Sequence, residues 1–170
     1  GSFTGLRIGF SIVQGLAFAL NLPVAPVSTL KTLVATYQRS RADVRNSVYL
    51  AVLDARMGQF AVGVYRWNGE QLSTERRDCL LSVSAVHALI NQLQPTALIG
   101  ETEKLLAAQE NDVAANSMEV SEVYPHALDL CELAAEQHRL GLSMPIEEIE
   151  LCDLRGTEAW TKRTSISRDG

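Results

Sequence analysis

Residues 47–69 read SVYLAVLDARMGQFAVGVYRWNG, and this stretch decides the architecture. Its first part, 47–53, is a nearly continuous apolar run rich in β-formers, the pattern of a strand covered on both faces. Asp54-Ala55-Arg56-Met57-Gly58 then turns the chain. Over 59–67, Phe60, Val62 and Val64 alternate with Ala61, Gly63 and Tyr65, which predicts a second strand. Asn68-Gly69 comes next, and such a pair between two strand-like runs predicts a type I′ hairpin turn, which needs positive φ at both central residues. A third, antiparallel strand is therefore expected over 70–79.

Downstream, helical and extended patterns alternate. Val86, Leu89, Ile90 and Leu93 mark one face of a helix that starts near Ser82 and stops before Pro95. A buried strand at 97–100, a helix over 101–110 and a strand within 118–123 come next. Pro125, suited to a first helical turn, opens a helix reaching about residue 140 and places His126 in that turn. Beyond Met144 the one strand candidate is 149–154, and a polar tail begins at 161. Three adjacent strands followed by alternating helix and strand predict a mixed α/β lobe.

Upstream, Ser2 or Thr4 caps a helix that runs to Leu20 with Arg7 as its sole charge. A helix apolar on nearly every side requires cover on nearly every side. Small residues recur every four positions, Gly5 and Gly9, then Ser11, Gly15 and Ala19, so another backbone can approach closely. Asn21-Leu22-Pro23 ends the helix, and 24–27 has strand character without a visible partner. Ser28 caps a second helix whose buried face is Leu30, Leu33, Val34 and Tyr37. The polar stretch 39–46 reads as a linker. The expected units are thus 1–41, a helix-strand-helix remnant of a first lobe; 42–160, the mixed α/β lobe; and 161–170, a loose tail.

Composition narrows the function. A net charge of −5 argues against this chain gripping a phosphate backbone by itself, which needs clustered Lys and Arg. Cys79, Cys131 and Cys152 form no CxxC pair and read as free buried thiols of a reduced, cytoplasmic protein. The apolar run 8–20 is shorter than the ~20 residues a membrane span needs. Ala17-Phe18-Ala19 imitates a signal-peptidase site without the basic region that should precede it.

Chemistry is sparse. His87, His126 and His138 form no HxxxH or HExxH pair, so no metal site is expected. Residues 2–5 lack the Lys and Gly spacing of a phosphate loop, and Ser2 has no local base. Asp54 and Arg56 have two readings: catalytic groups at the end of a buried strand, or a turn in which Asp54 accepts backbone hydrogen bonds while Arg56 faces solvent or pairs with it. The turn is preferred. Glu147, Glu148 and Glu150 read as a solvated acidic patch.

Ser2-Phe3-Thr4-Gly5-Leu6-Arg7-Ile8-Gly9, Gln14-Gly15-Leu16-Ala17, Pro23 with Val27-Ser28-Thr29-Leu30, and Asp54-Ala55-Arg56-Met57-Gly58 resemble the TsaB (YeaZ) family. The likeness is specific over the first 65 residues and rests beyond them on the order of elements. Near the end, Leu154-Arg155 and Ala159-Trp160 are similar to the family's terminal segment, with Asp153 where the family carries Tyr. The resemblance implies an α/β, actin-like ATPase (ASKHA) fold of two lobes with the first incomplete, about 70 residues being expected ahead of Gly1.

The resemblance also implies a scaffold without catalytic residues of its own. Such a subunit binds TsaD, with TsaE joining. The assembly makes N6-threonylcarbamoyladenosine at position 37 of tRNA, so that tRNA is met only through the complex. ATP and metal would belong to the partner subunits, and no membrane is involved. The first helix would form the interface to TsaD, or to a second copy in a homodimer, through Phe10, Ile12, Val13, Leu16, Ala17 and Leu20, with Gly5, Gly9 and Gly15 allowing close packing. Ser2, Phe3, Thr4, Arg7, Asp54, Arg56 and Gly58 are the family-motif positions. The alternatives are a glycoprotease-like peptidase or nucleotide hydrolase of the same superfamily, and a homodimeric interaction module.

Overall fold

A computed structural model describes residues 3–41, 46–108, 118–151 and 154. Ser2, Cys152, Asp153, Arg155, Ala159, Trp160, the expected boundary at 42 and the tail from 161 lie outside them.

The stretch 47–69 forms the centre of a five-stranded sheet. β1 (Ser47–Asp54) and β2 (Gln59–Trp67) pair antiparallel in register from Ser47↔Trp67 to Asp54↔Phe60. β3 (Leu72–Ser82) pairs with β2 and is longer than expected. On the other side of β1, β4 (Ala97–Gly100) and then β5 (Glu119–Ser121) run parallel to it, giving the order β3-β2-β1-β4-β5.

The sheet is covered on both faces, as the apolar run of β1 requires. On one face Leu50, Val52, Phe60, Val62, Val64 and Leu98 pack with Val86, Leu89 and Ile90 of α3 (Val83–Leu93) and Leu105 of α4 (Glu103–Ala107). On the other, Tyr49, Ala51, Tyr65, Ala97 and Ile99 pack with Leu30, Leu33, Val34 and Tyr37 of α2 (Thr29–Arg39). The Tyr37 and Tyr49 rings meet edge to face at 5.6 Å, a pairing worth about 0.5–1.5 kcal/mol beyond area burial. α5 (Ala127–Arg139) lies outside α2 and is tied to it through Asp129, a carboxylate 2% exposed that accepts from Thr36 Oγ1 at 2.7 Å and Arg39 Nε at 2.8 Å.

α2, expected in the unit 1–41 with the first helix, packs on the sheet through its Leu30-Leu33-Val34-Tyr37 stripe, which meets the apolar face of β1 and β4. Four expectations are corrected. The extended residues 24–27 do find a partner: Val24 and Met144 form an antiparallel bridge with hydrogen bonds of 2.9 and 3.0 Å. The Asn68-Gly69 turn is not type I′. Gly69 has φ 103°, whereas Asn68 is not at positive φ, and its side chain accepts from Glu70 N and Gln71 N, closing a four-residue loop instead. His126 is the N-cap of α5 rather than part of its first turn, its Nδ1 accepting from Leu128 N. Residues 149–151 form no strand; the chain there leaves a 3-10 turn, Ile146–Glu148.

Gly63 has a specific task. A Cβ at that position would lie 2.6 Å from Asp78 Oδ1 and 2.8 Å from the Tyr65 hydroxyl. The missing side chain, with the irregular β2–β3 register around it, makes room for a polar cluster in which Tyr65 donates to Asp78 at 2.5 Å and Ser28, the N-cap of α2, also donates to Asp78. Burial and the Asp78 carboxylate both push the Tyr65 phenol far above its ordinary value.

Candidate functional site

α1 (Phe3–Leu20) is a nearly uncharged helix with most of its surface uncovered. It starts at Phe3, so Thr4 lies within it rather than capping it. Asn21, at φ 50°, ends it, Leu22 N bonds to Ala17 O at 3.0 Å, and the Val24–Met144 bridge anchors the chain just beyond the helix. Among the described residues, only the side that meets the 3-10 turn is covered. Ala17 is 5% exposed and shares a small cleft with Pro145 and Ile146, while Phe10, seven residues earlier on the same side, is half-buried.

Of the expected interface residues, Ala17 is buried against its own chain. Ile12, Val13, Leu16 and Leu20 are exposed, as is Ile8, and the four-residue spacing of Ile8, Ile12, Leu16 and Leu20 puts them on one stripe. Leu6, Phe18 and Leu22, which the expected interface does not include, are exposed too. At Gly9 and Gly15 a Cβ would meet nothing within 4 Å, so both small-residue positions face open space. Gly5, Thr4 and Arg7 lie on the exposed first turns of the same helix.

The second concentration of polar groups lies where the parallel strands end. Arg56, Met57 and Gly58 all have positive φ (66°, 56° and 71°), a conformation that costs a non-glycine residue about 1–2 kcal/mol. Asp54 offsets this by accepting from Arg56 N at 2.7 Å, and its other oxygen pairs with Lys104. The Lys104 hydrogen bond, then the Arg56 amide, hold the Asp54 carboxyl below its ordinary range. Asp54 N donates to Glu101 Oε2 at 2.8 Å. The preferred turn reading therefore holds for Asp54, with Lys104 as the ion-pair partner that spacing does not identify.

The remaining candidates have local structural partners. His87 Nε2 lies 3.1 Å from Leu105 O, and His138 Nδ1 lies 3.1 Å from Ser143 Oγ. Among the described residues, no three His, Cys, Asp or Glu side chains are arranged to hold a metal ion. Cys79 is half-buried and Cys131 exposed, correcting the expectation of buried thiols. Glu147, Glu148 and Glu150 are exposed, as a solvated patch requires.

The family model described as "TsaD: tRNA N6-adenosine threonylcarbamoyltransferase" matches residues 1–145. The "tRNA threonylcarbamoyladenosine biosynthesis protein TsaB" of Escherichia coli (strain K12) is 32% identical over 95% of this chain and 70% of its own length. The chain belongs to the TsaB family. The TsaB protein of Haemophilus influenzae is 33% identical over 95% of this chain and 69% of its own. Among solved structures, an uncharacterized protein with similarity to peptidase YEAZ, from Pseudomonas aeruginosa, superposes with a TM-score of 0.75 at 27% identity, covering 91% of this chain and 69% of that one. The fold is thus the actin-like type of these YeaZ proteins. Among the described residues, no helix is long and apolar enough to cross a membrane.

Proposed function

We propose that this chain is a non-catalytic scaffold subunit in the synthesis of N6-threonylcarbamoyladenosine at position 37 of tRNA, acting in the cytoplasm by binding and activating a TsaD subunit, with TsaE joining the pair. The observation that carries the reading is the open apolar stripe of α1, Ile8, Ile12, Leu16 and Leu20, with Gly9 beside it where a second helix can come close. Contiguous exposed apolar surface of this kind marks interaction sites in water-soluble folds. Family membership supports the pathway, since the TsaB relatives are named for it. ATP and metal belong to the partner subunits in this reading, and tRNA is contacted through them.

Co-purification tests it. Tagged protein is expected to retain TsaD, and Ile12→Glu to release it. Failure of the unsubstituted protein to retain TsaD, or sedimentation as a homodimer that excludes TsaD, contradicts the proposal.

A further inference from the structure

The actin-like fold implies a nucleotide, and open α/β sheets receive such ligands outside the carboxyl ends of their parallel strands. Here those ends belong to β1, β4 and β5, and the groups they carry do not fit a polyphosphate. Glu122, just beyond β5, reaches across to the start of α4. Its Oε1 accepts from Thr102 N at 2.9 Å, Thr102 Oγ1 at 2.8 Å and Glu103 N at 3.1 Å. Asp54, at the end of β1, pairs with the Lys104 ammonium, and Glu101 accepts from Asp54 N. The Thr102 and Glu103 donors and the Lys104 ammonium are thus engaged by the chain's own carboxylates. An incoming phosphate would also meet three carboxylates, Asp54, Glu101 and Glu122, against the two cations Lys104 and Arg56.

Gly100 does not argue for a ligand either. It has φ 113°, and a Cβ there would lie 2.1 Å from Val52 O, so the glycine is required by the backbone of β1 rather than by an approaching phosphate. Glu101 N completes that contact, donating to Val52 O at 3.0 Å.

We infer that this edge of the sheet is self-liganded: Asp54 and Glu122 clasp the ends of β1, β4 and β5 together and exclude nucleoside triphosphate from the position the fold would otherwise offer it. The clasp joins the strand ends in place of a bound ligand.

Thermal melting with tripolyphosphate and with Mg-ATP tests the inference on the protein and on the double variant Asp54→Asn/Glu122→Ala. Neither compound is expected to move the midpoint of the unsubstituted protein. The double variant should melt lower and gain a saturable stabilisation from tripolyphosphate, because Lys104 and the α4 donors are released. Saturable Mg-ATP binding by the unsubstituted protein that Lys104→Ala weakens would overturn the inference. So would a cooperatively folded double variant indifferent to tripolyphosphate. If that variant does not fold, the single variant Asp54→Asn, which keeps the side-chain shape and frees Lys104, is subject to the same two outcomes.

Discussion

Leu16 and Ala17 are consecutive on α1 yet stand in opposite environments, Leu16 57% exposed and Ala17 5% exposed against the turn at Pro145 and Ile146. One residue of helical rotation separates the side that holds α1 to its own chain from the side left open. Substitutions at the two positions should therefore fail in different ways. Leu16→Glu is expected to leave stability within about 0.5 kcal/mol, because the position is a solvated surface site and Glu is a good helix former. Ala17→Leu is expected to cost about 1–3 kcal/mol by overpacking the cleft. Urea denaturation of the two variants checks both.

Ser28 and Tyr65 both donate to Asp78, one from the N-cap of α2 and one from β2. Tyr65→Phe removes a buried donor and should cost about 1–3 kcal/mol, since the Asp78 oxygen loses its partner. Ser28→Ala should cost about 1 kcal/mol through the lost cap to Lys31 N. The double variant should depart from additivity by about 0.5 kcal/mol or more, because both changes act on one carboxylate. A double-mutant cycle with additive losses would show the cluster to be uncoupled.

Gly100→Ala should be among the most damaging single-methyl additions in the sheet. Its positive φ and the 2.1 Å approach to Val52 O combine strain with a clash against backbone that cannot swing aside. A loss of about 2–4 kcal/mol is expected. Gly58→Ala shares the positive φ but has open space around it, so it should cost only the strain, about 1–2 kcal/mol. Chemical denaturation of the pair ranks them.

Acid should loosen the strand ends. Hydrogen bonds from the Thr102 hydroxyl and amide hold Glu122 below its ordinary value of 4.5, and the bond from Lys104 does the same for Asp54 relative to 3.8. Because both folded values are depressed, the unfolded chain binds more protons in this range. The stabilisation is complete above the ordinary values and is lost as pH falls through the lower folded ones. Glu122→Gln should therefore be less stable than the unsubstituted protein at pH 6 and approach it at pH 3. An identical gap at both values contradicts this assignment.

Much of the sheet is legible in the sequence because β1 and β2 announce themselves by composition and alternation, and Ser28 and Ser82 by their place before apolar helical spacing. The helical stripe of α2 can be read, but not the surface it meets, since spacing gives a face and not its partner. The Val24–Met144 bridge joins segments far apart in sequence, which no local pattern encodes. α1 is apolar all round, so its sequence carries no phase to separate Ala17 from Leu16. Lys104 and Glu122 escape a reading by pattern because single charges in short segments have no periodic signature; only the parallel placement of β4 and β5 brings them to the edge. The Asn68 turn departs from the rule for its dipeptide because the Asn68 side chain, by accepting two amides, substitutes for the positive φ otherwise required.

The open stripe of α1 is the proposed docking surface for a TsaD subunit, and the whole functional reading rests on it. Isothermal titration of TsaD into the unsubstituted protein and into Leu16→Glu, with the melting curve of each recorded alongside, isolates that surface. Saturable binding is expected for the first, and for the second a loss of about tenfold or more in affinity with unchanged melting, as when a charge enters the buried centre of an interface. Equal affinity of both proteins for TsaD would place the docking surface elsewhere and refute the proposal.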